Sequence, residues 1–468
     1  PHTFTGVDEA KEIIENMREP VLVYFDPDID GGFAGLLACK YLSKIGKRYT
    51  WYCNSRREHG WKLPLSKIKS KDIIAVDFLI SLQEIKDICD SGSNIVSFDH
   101  HENKDDKISY TSPKGYRGIV INNQFSYEPE SSRYLSGAGV SFESFIQMLP
   151  EFNTLLNRAL VGITLLSDIR DIENPYARSY LYDLYHHKYE GYIRYLIDTV
   201  SAGVDYGFGV PHMDRNFVDY RFSPKLNACF RLNKEDEVIN FILGSGVLDL
   251  ECHQIQKELV SSLQESSRVI TLSNLKVVSF YIKDFLQYED VLASFVGLTA
   301  SRFVDDKHSC ICMAIGNGFV ERASFRGRIN GLGYLKVLRE YLDGEGHGSA
   351  FGIKGFTPTN ELVKQANKAC ATLEKEVNYE KKIVRTANLS IFSRRKGKIH
   401  AIENQYCLSQ NRTYVRYVGH CIEKKRSTNS VQEYYIDGVS VRCFDSSVTV
   451  QNGLLFPIME RGNLTYYL

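Results

Sequence analysis

One aspartate and two histidines, Asp99-His100-His101, directly follow the apolar run Asn94-Ile95-Val96-Ser97-Phe98. The run is short and rich in β-branched and aromatic residues, so it predicts a buried strand that ends at these three polar side chains. In open α/β sheets, ligands bind in the crevice outside the carboxyl ends of the strands. The sequence therefore predicts an α/β domain with a polar site at the end of this strand.

Three aspartates at alternate positions follow a second predicted strand, Pro20–Phe25: Asp26, Asp28 and Asp30. Proline and glycine within the segment indicate a tight loop before a helix at Gly35–Leu42, so the carboxylates converge instead of fanning out. Converging carboxylates repel one another unless a cation lies among them, and oxygen ligands beside imidazole suit Mn²⁺ or Mg²⁺. The alternatives are an acidic surface turn and a calcium loop, although an EF-hand would need a helix where this segment has a strand.

Two more apolar segments end at acids. Asp72–Val76 predicts a buried strand followed by Asp77, and Val161–Ser167 is interpreted in the same way, with Asp168 at its end and Asp171 nearby. An isolated aspartate after a strand is usually the N-cap of a helix. Four such strand ends in one half of the chain favour a shared metal site over four unrelated caps.

Taken together, these four segments resemble the metal-site motifs of the DHH phosphoesterase superfamily, in the same order and at similar spacing. Gly344–Gly352 resembles the Gly-Gly-His signature of the DHHA1 substrate domain, and Ser324-Phe325-Arg326 resembles that domain's Ser-x-Arg element. Leu135–Val140 resembles a Gly-Ala-Gly-Val segment of the RecJ-like branch. The resemblance extends from about Val21 to Gly352.

Two residues depart from the family pattern. Glu345 replaces the first glycine of the Gly-Gly-His signature, and an added carboxylate there would weaken anion binding. Tyr24 stands where the pyrophosphatase-like and nanoRNase-like branches carry a histidine. This second departure, together with the triple aspartate, favours the RecJ-like nuclease branch.

The resemblance implies two divalent cations, Mn²⁺ or Mg²⁺, held by six residues: Asp26, Asp28, Asp30, Asp77, His100 and Asp168. It assigns Asp28 and Asp77 to one ion, with Asp26 as a further ligand or an orienting group. It assigns Asp30, His100 and Asp168 to the other ion, which shares Asp77 as a bridge. His101 is expected to face the phosphate, and Asp99 to orient the imidazoles.

The resemblance also implies a phosphate-binding set on the second domain: Ser324, Arg326, Gly346, His347 and Gly348. Glycines there would allow the backbone to approach an anion closely. A histidine in a glycine-rich loop is more often structural or exposed, so the substrate role of His347 depends on the family pattern.

The C-terminal region has a different character. Residues 381–468 contain 14 Lys or Arg against 6 Asp or Glu, whereas the whole chain has 57 of each kind. Short alternating strands in this region predict a small barrel or sandwich. Two basic runs occur in it among several tyrosines: Arg394, Arg395, Lys396 and Lys398, then Lys424, Lys425 and Arg426. A basic groove with aromatic platforms is typical of OB-fold domains that bind single strands, whereas the alternative is a solvated face above half-buried tyrosines.

We therefore predict an α/β fold in four parts: a mostly parallel DHH sheet domain at 1–175, a helical insertion and connector at 176–267, an α/β DHHA1 domain at 268–380 and a β-rich OB-like domain at 381–468. Eleven scattered cysteines without a disulfide framework favour reduced thiols and a cytoplasmic protein. No apolar run is long enough to span a bilayer, so no membrane partner is expected.

The predicted function is a RecJ-like 5′→3′ exonuclease on single-stranded DNA, releasing mononucleotides in repair, recombination or replication, with replication or repair proteins as further partners. The rival within the same enzyme class is a phosphodiesterase of cyclic dinucleotides or short oligonucleotides. A non-catalytic nucleic-acid-binding scaffold is the alternative from another class. All the acids expected at the metal site are present, which favours an enzyme.

Overall fold

The computed structural model describes residues 2–54, 71–103, 105–168, 174–186, 190–202, 213, 217–329 and 332–379, together with eight strands between 384 and 467. The described residues form two compact units. The first lies within Pro1–Tyr206 and Phe217–Lys257, and the second within Gly207–Asn216 and Glu258–Leu468. The predicted division into four domains remains a prediction.

The first unit contains a six-stranded sheet. Its strands are β1 Val21–Phe25, β2 Tyr49–Cys53, β3 Ile73–Val76, β4 Ile95–Asp99, β5 Ser109–Thr111 and β6 Arg117–Asn122. They lie in the order β2-β1-β3-β4-β6-β5, and all neighbours run parallel except the edge pair of β5 and β6. Strands β1, β3 and β4 are buried along their whole length, as continuous apolar runs require. The predicted mostly parallel sheet is confirmed.

The helices described between residues 7 and 266 are α1 Val7–Glu15, α2 Ile29–Lys44, α3 Leu82–Asp90, α4 Gly137–Met148, α5 Leu155–Ser167, α6 Pro175–His186, α7 Gly191–Ser201, α8 Ser223–Arg231, α9 Glu235–Ile242 and α10 Glu251–Ser266. A π-helix at Val218–Phe222 precedes α8, and short 3₁₀ turns occupy Glu130–Ser132 and Pro150–Phe152. The helices α6 to α10 agree with the predicted helical character of the connector, whereas its bounds at 176 and 267 remain predictions.

The interpretation of Val161–Ser167 as a strand is wrong, because this segment is the second half of α5. Every residue from Ala159 to Leu166 is buried, so this part of the helix carries no polar face and its sequence shows no helical period. A short apolar run of this kind cannot be assigned to strand or helix by periodicity alone. Thr154 marks the true start, since its side chain caps the helix by accepting a hydrogen bond from the backbone N–H of Asn157.

The second unit contains another six-stranded sheet. Its strands are β7 Arg268–Thr271, β8 Leu275–Tyr281, β9 Ser309–Gly316, β10 Phe319–Arg326, β11 Gly344–His347 and β12 Ala350–Ile353. The order is β11-β12-β10-β9-β8-β7, with β8 and β9 parallel and the other pairs antiparallel. The helices are α11 Val296–Phe303, α12 Tyr334–Leu338 and α13 Asn360–Tyr379, with 3₁₀ turns at Ile282–Tyr288 and Leu292–Phe295. The core includes Phe325 from the sheet, Tyr334 from α12 and Cys370 from α13.

The glycine-rich segment Gly344–Gly352 is not the loop that we predicted, because its two halves pair as the antiparallel hairpin β11–β12. Gly346 lies opposite Phe351 with a φ of 143°, a conformation that side chains rarely adopt. A Cβ atom at Gly346 would lie 2.7 Å from the carbonyl oxygen of Ala350. The glycine therefore allows close strand pairing where a loop had been expected.

The C-terminal region contributes eight described strands: β13 Val384–Thr386, β14 Ile402–Cys407, β15 Arg412–Tyr417, β16 Ile422–Ser427, β17 Gln432–Ile436, β18 Val439–Cys443, β19 Leu454–Glu460 and β20 Asn463–Tyr467. They form one sheet in the order β13-β14-β15-β19-β20-β18-β17-β16, mostly antiparallel, with β18 and β20 parallel. The β-rich character is therefore as predicted. The OB-like description of this region remains a prediction.

Eight cysteines within the described part of the chain are free thiols: Cys39, Cys53, Cys89, Cys229, Cys252, Cys310, Cys312 and Cys370. None of the described helices combines the length and the apolar character needed to cross a membrane.

A buried carboxylate ties together the amino ends of three strands in the first sheet. Asp72, just before β3, accepts hydrogen bonds from the Arg18 side chain at 2.5 Å and its backbone N–H at 2.7 Å. It also accepts bonds from the backbone N–H and the side chain of Asn94, at 2.9 and 3.1 Å. Burial alone would raise the pKa of Asp72, but these bonds outweigh it and lower the pKa.

We expect Asp72→Asn to reduce the free energy of unfolding at pH 7 by about 2 kcal/mol, because a charged acceptor of several hydrogen bonds is lost. Since the folded pKa is depressed, this stabilisation is complete above the unfolded pKa of about 3.9 and is lost as the pH falls below it. Urea unfolding of both proteins between pH 7 and pH 3 should therefore show a difference that shrinks on acidification. Glu19→Gln, which removes the partner of the exposed Arg48, is the control and should leave the urea midpoint unchanged. A pH-independent difference would contradict the assignment.

Candidate metal centre

The carboxyl ends of β1, β3 and β4 bring their following residues to one edge of the first sheet. Phe25 pairs with Val76, and Val76 pairs with Phe98, so Asp26, Asp77 and Asp99 follow in adjacent positions. All three aspartates are buried. The predicted convergence of these strand ends is therefore present in the structure.

Helix α2 begins at Ile29 within the triple-aspartate segment, earlier than the predicted start at Gly35. Asp28 is its N-cap and accepts a hydrogen bond from the backbone N–H of Gly31 at 2.9 Å, and Asp30 lies in the first helical turn. A Cβ atom at Gly31 would lie 2.4 Å from the carbonyl oxygen of Asp26, so only glycine allows this tight reversal. The three carboxylates thus belong to a strand end, a helix cap and a helix.

Asp30 is held by the N-terminus of α4. It accepts hydrogen bonds from the backbone N–H groups of Gly137 at 2.6 Å and Ala138 at 3.0 Å, where the helix dipole also favours a negative charge. Burial nevertheless raises the pKa of Asp30 to about 6, and the charge of Asp28 adds to this effect. The two N–H groups therefore compensate only part of the cost of burying this charge.

Asp77 lies at the centre of the acidic cluster. Its backbone φ of 64° is in the left-handed region, which aspartate and asparagine tolerate better than other non-glycine residues. Burial, together with the charges of Asp30, Asp28 and other carboxylates, raises the pKa of Asp77 well above its ordinary value. Within the described residues, its buried Oδ1 atom has no hydrogen-bond partner. A buried carboxylate oxygen in this state is a good position for a cation.

His100 lies among three carboxylates. Its Nε2 atom is 3.1 Å from Oδ1 of Asp77 and 3.7 Å from Oδ2 of Asp30, and its Nδ1 atom is 3.8 Å from Oδ2 of Asp168. Asp168 reaches this position from the C-terminal end of α5 and not from a strand. Asp171, which had been noted nearby, lies outside the described residues.

His101 is paired with Asp99. Its Nδ1 atom lies 2.7 Å from Oδ1 of Asp99, and since a carboxylate only accepts, Nδ1 carries the proton. Burial lowers the pKa of His101, but the charge and hydrogen bond of Asp99 outweigh burial and raise the pKa to about 9. This pair is therefore a hydrogen-bonded acid–imidazole dyad beside the acidic cluster.

Sequence reasoning missed Asn122, the last residue of β6, which lies opposite Asp99 in the sheet. Its side chain donates to Oδ2 of Asp99 at 3.1 Å. Its position directly after the apolar run Gly118–Ile121 is the same strand-end signal that identified the aspartates, but an amide is a weaker indication of a metal site than an acid. The backbone N–H groups of Gly137 and Ala138 were also missed, because side-chain patterns say nothing about backbone donors.

Three overlapping groups of described residues could each hold a metal ion, with ligand atoms within 4.8 Å of one another: Asp26, Asp28 and Asp77; Asp30, His100 and Asp168; and Asp77, His100 and His101. Carboxylate oxygens with one or two imidazole nitrogens suit Mn²⁺ and Mg²⁺. The orphaned Oδ1 of Asp77 and the raised pKa of Asp30 and Asp77 agree with a missing positive charge. The residues therefore fit the expected divalent cations, and the individual ligand roles remain predictions.

Tyr24, at the position where related branches carry histidine, takes no part in these groups. It is fully buried, stacks on Phe78 with ring centroids 4.3 Å apart, and is hydrogen-bonded through its hydroxyl to the side chain of Asn54. It is therefore a core residue whose polar end is satisfied.

In the second unit, the predicted phosphate-binding residues lie on β10 and in the β11–β12 hairpin. Ser324 and Arg326 are on β10, where the Arg326 guanidinium donates to the Ser324 hydroxyl and to the carbonyl of Phe325, both at 2.8 Å. A Cβ atom at Gly297 would lie 2.4 Å from Nη2 of Arg326, so the guanidinium rests against the backbone of α11. Gly346 and His347 are on β11, separated from β10 only by β12.

The C-terminal basic residues are described only in part. Lys424, Lys425 and Arg426 lie on β16, which is at one edge of the C-terminal sheet and pairs with β17. Arg394, Arg395, Lys396 and Lys398 lie outside the described residues.

We expect Gly137→Ala to weaken Mn²⁺ binding about 10- to 100-fold, a typical cost of disturbing the groups that orient metal ligands. A Cβ atom at residue 137 would lie 2.6 Å from Oδ1 of Asp77. A movement of the backbone that relieves this contact would also displace the N–H group that holds Asp30. Isothermal titration calorimetry with Mn²⁺ measures the change. Gly139→Ala in the same helical turn is the control, because its Cβ would meet only the Leu135 side chain. Equal losses in both variants would count against the proposed close approach.

The chain resembles known proteins in its fold and not in its overall sequence. No family model and no curated protein matches the sequence. Among solved structures, RecJ from Thermus thermophilus in complex with Mn²⁺ is similar at 15% identity, over 100% of this chain and 72% of that chain, with a TM-score of 0.63. The Thermus thermophilus RecJ structure with Mg²⁺ gives 14% identity, 100% and 70% coverage, and a TM-score of 0.57.

Exonuclease RecJ bound to manganese is similar at 16% identity, over 79% of this chain and 95% of that chain, with a TM-score of 0.52. At such low identity, these similarities show the fold alone. They agree with the motifs, since the described residues place the strand-end acids and histidines of the DHH pattern together at one edge of a parallel sheet. The chain therefore has the fold of the RecJ-like DHH–DHHA1 proteins, as its sequence motifs predicted.

Proposed function

We propose that this chain is a metal-dependent phosphodiesterase, and specifically a RecJ-like exonuclease that removes mononucleotides from the 5′ end of single-stranded DNA. The observation that carries the proposal is the sharing of Asp77 and His100 between neighbouring candidate ligand groups, in a chain with the fold of RecJ. Sharing of ligands is what a two-metal hydrolytic site requires, because both ions must act on one phosphate.

The proposed metal ligands are taken from the three candidate ligand groups described above. Asp26, Asp28 and Asp77 would hold one cation, and Asp30, His100 and Asp168 would hold the other. The service of Asp77 to both cations rests on the resemblance, and its grouping with His100 supports it. Bound together, two divalent cations supply an activated water and stabilise the attacking and leaving oxygens of the phosphodiester. The N-terminus of α4 keeps Asp30 oriented, since two backbone N–H groups fix its carboxylate.

We assign His101 to the phosphate and Asp99 to the orientation of the His101 imidazole. Asp99 fixes the imidazole by accepting a hydrogen bond from its Nδ1–H group, which directs the other ring nitrogen away from Asp99. From that position, His101 donates a hydrogen bond to a phosphate oxygen or a proton to the leaving oxygen. The third candidate ligand group includes His101, so binding of a cation by its imidazole is the alternative to this role.

Substrate binding is proposed for the second unit and the C-terminal sheet. Ser324, Arg326 and the β11–β12 hairpin with Gly346, His347 and Gly348 would bind the phosphate of the terminal nucleotide, with Arg326 as a bidentate donor. The basic residues of the C-terminal region would bind the phosphates further along the strand. The strand partner, the 5′ polarity and the release of mononucleotides rest on the resemblance to RecJ.

Two other functions compete with this one. A phosphodiesterase of cyclic dinucleotides or short oligonucleotides would use the same metal site without the C-terminal sheet. A scaffold would bind nucleic acid without hydrolysis. Incubation with Mn²⁺ and labelled single-stranded DNA, a dinucleotide or a cyclic dinucleotide distinguishes all three. Mononucleotides released from the 5′ end of long strands are the expected result, and hydrolysis of the small substrates alone would replace the exonuclease proposal.

We expect Asp77→Asn to abolish hydrolysis and to remove tight Mn²⁺ binding, because the charge shared by both cations is lost. Asparagine is the appropriate substitution since it tolerates the left-handed φ of 64° at this residue, whereas alanine would add backbone strain. Turnover with and without chelator, together with calorimetric Mn²⁺ titration, measures the effect. Asp198→Asn removes an exposed carboxylate near the end of α7 and should change neither quantity. Near-normal turnover by Asp77→Asn would refute the two-metal assignment.

We expect substitution of Lys424, Lys425 and Arg426 by alanine to weaken binding of long single strands and to flatten its salt dependence. Three lost phosphate contacts should reduce the slope of log K against log salt by about 2, at roughly 0.7 per contact for single strands. Fluorescence anisotropy over a salt series measures this slope. Replacing Lys364, Lys368 and Lys375, which are exposed on α13, removes the same charge and should leave the slope closer to wild type. Equal slopes in the two triple variants would contradict a binding role for β16.

A further inference from the structure

The side-chain amide of Asn122 connects both members of the Asp99–His101 pair. Its Nδ2 atom donates to Oδ2 of Asp99 at 3.1 Å and to the backbone carbonyl of His101 at 2.9 Å. Asn122 and Asp99 are both completely buried. One amide group therefore holds the carboxylate and the backbone of the histidine that this carboxylate orients.

The orientation of the Asn122 amide follows from its partners. Its Oδ1 atom accepts the backbone N–H of Gln124 at 2.8 Å, and both neighbours of Nδ2 are oxygens that can only accept. Exchanging the nitrogen and oxygen would break all three bonds, so the network admits one orientation only. The register of the sheet supports this placement, because Asn122 at the end of β6 pairs directly with Asp99 at the end of β4.

The bonds of Asn122 complete the hydrogen bonding of Asp99. Oδ1 of Asp99 accepts the ring Nδ1–H of His101 at 2.7 Å and its backbone N–H at 3.3 Å, which leaves Oδ2 to Asn122. Without the amide, a buried carboxylate oxygen would lose this partner, and the carboxylate could rotate away from the imidazole. The bond to the His101 carbonyl fixes the histidine at a second point.

We propose that Asn122 is a positioning residue, which holds Asp99 and His101 in the geometry needed to donate to the reacting phosphate. This inference deepens the proposed function and rests on it for its kinetic consequences. Asn122 belongs to none of the candidate ligand groups, so its effect on the site passes through the two residues that it bonds, Asp99 and His101. Misplacement of a catalytic group by about 1 Å can lower the rate on the order of 100-fold.

A matched control lies at the other end of the strands of the same sheet. Asn94, just before β4, donates to a carboxylate oxygen of Asp72 at 3.1 Å and accepts the backbone N–H of Arg117 at 2.8 Å. Asn122 likewise donates to Asp99 at 3.1 Å and accepts a backbone N–H at 2.8 Å. The two asparagines thus make similar bonds at the two ends of the same strands, and only Asn122 lies beside the candidate metal centre.

The test compares Asn122→Ala with Asn94→Ala. For Asn122→Ala we expect kcat for single-stranded DNA to fall about 10- to 100-fold, whereas KM and Mn²⁺ affinity stay within about twofold of wild type. Asn94→Ala should lower stability and leave kcat unchanged. Asn122→Ser, which retains a short donor, serves as the second variant if alanine prevents folding, and it should recover part of the loss. Equal kcat losses at both positions, or a loss of stability alone at Asn122, would overturn the proposal.

A measurement without turnover separates this proposal from the proposed function. The Nδ1 proton of His101, bonded to a carboxylate, should give a downfield NMR resonance in protein labelled at histidine nitrogen. We expect this resonance to shift or broaden in the Asn122 variants and to persist in Asn94→Ala. Absence of hydrolysis by the wild-type protein, with this spectral difference present, would refute the exonuclease and leave the positioning role intact. Identical His101 resonances in wild type and Asn122→Ala would refute the positioning role itself.

Discussion

Mutual repulsion of carboxylates at one edge of the first sheet is the constraint on which the rest of the site depends. Parallel pairing of β1, β3 and β4 brings Asp26, Asp77 and Asp99 to the same edge, and α2 adds Asp28 and Asp30. Water cannot screen these charges, because all but Asp28 are buried. The fold places the partially positive N-terminus of α4 at this edge, where two backbone N–H groups bind Asp30.

The two ends of the sheet resolve this problem in opposite ways. At the amino end, Asp72 has a complete set of partners in Arg18 and Asn94, and its pKa falls. At the carboxyl end, Oδ1 of Asp77 has no hydrogen-bond partner among the described residues, and the pKa of Asp77 rises. A closed set of hydrogen bonds stabilises the protein, whereas an incomplete one leaves coordination capacity for a ligand. The same residue type thus serves structure at one end and chemistry at the other.

Much of this arrangement could be predicted from the sequence, because strand-end acids have a visible signal. The strands ending at Phe25, Val76 and Asp99 were recognisable from short β-branched runs, and parallel pairing then implied a common edge. Asp168 was assigned to the site through a wrong element, since the buried stretch Ala159–Leu166 of α5 has no polar face to reveal its period. The motif order supplied what periodicity could not.

Other features had no sequence signal of this kind. The hold of Gly137 and Ala138 on Asp30 uses backbone N–H groups, which residue types do not reveal. The hairpin at Gly344–Ile353 was interpreted as a loop because glycine is common in both, and the close approach of Gly346 to Phe351 depends on tertiary pairing. Asn122 was overlooked because an amide can be identified as a partner only when the carboxylate opposite it is known.

The ligands of the candidate metal centre are spread along the chain from Asp26 to Asp168, and this spacing has a consequence for the order of folding. Contacts between residues so far apart in sequence close long loops, so they form late compared with local helices and hairpins. The strands between β1 and β4 and the two helices α4 and α5 must all be in place before the last carboxylate arrives. The complete ligand set therefore becomes available to a cation only once these strands and helices have assembled. During synthesis, the site is completed only after α5 has left the ribosome.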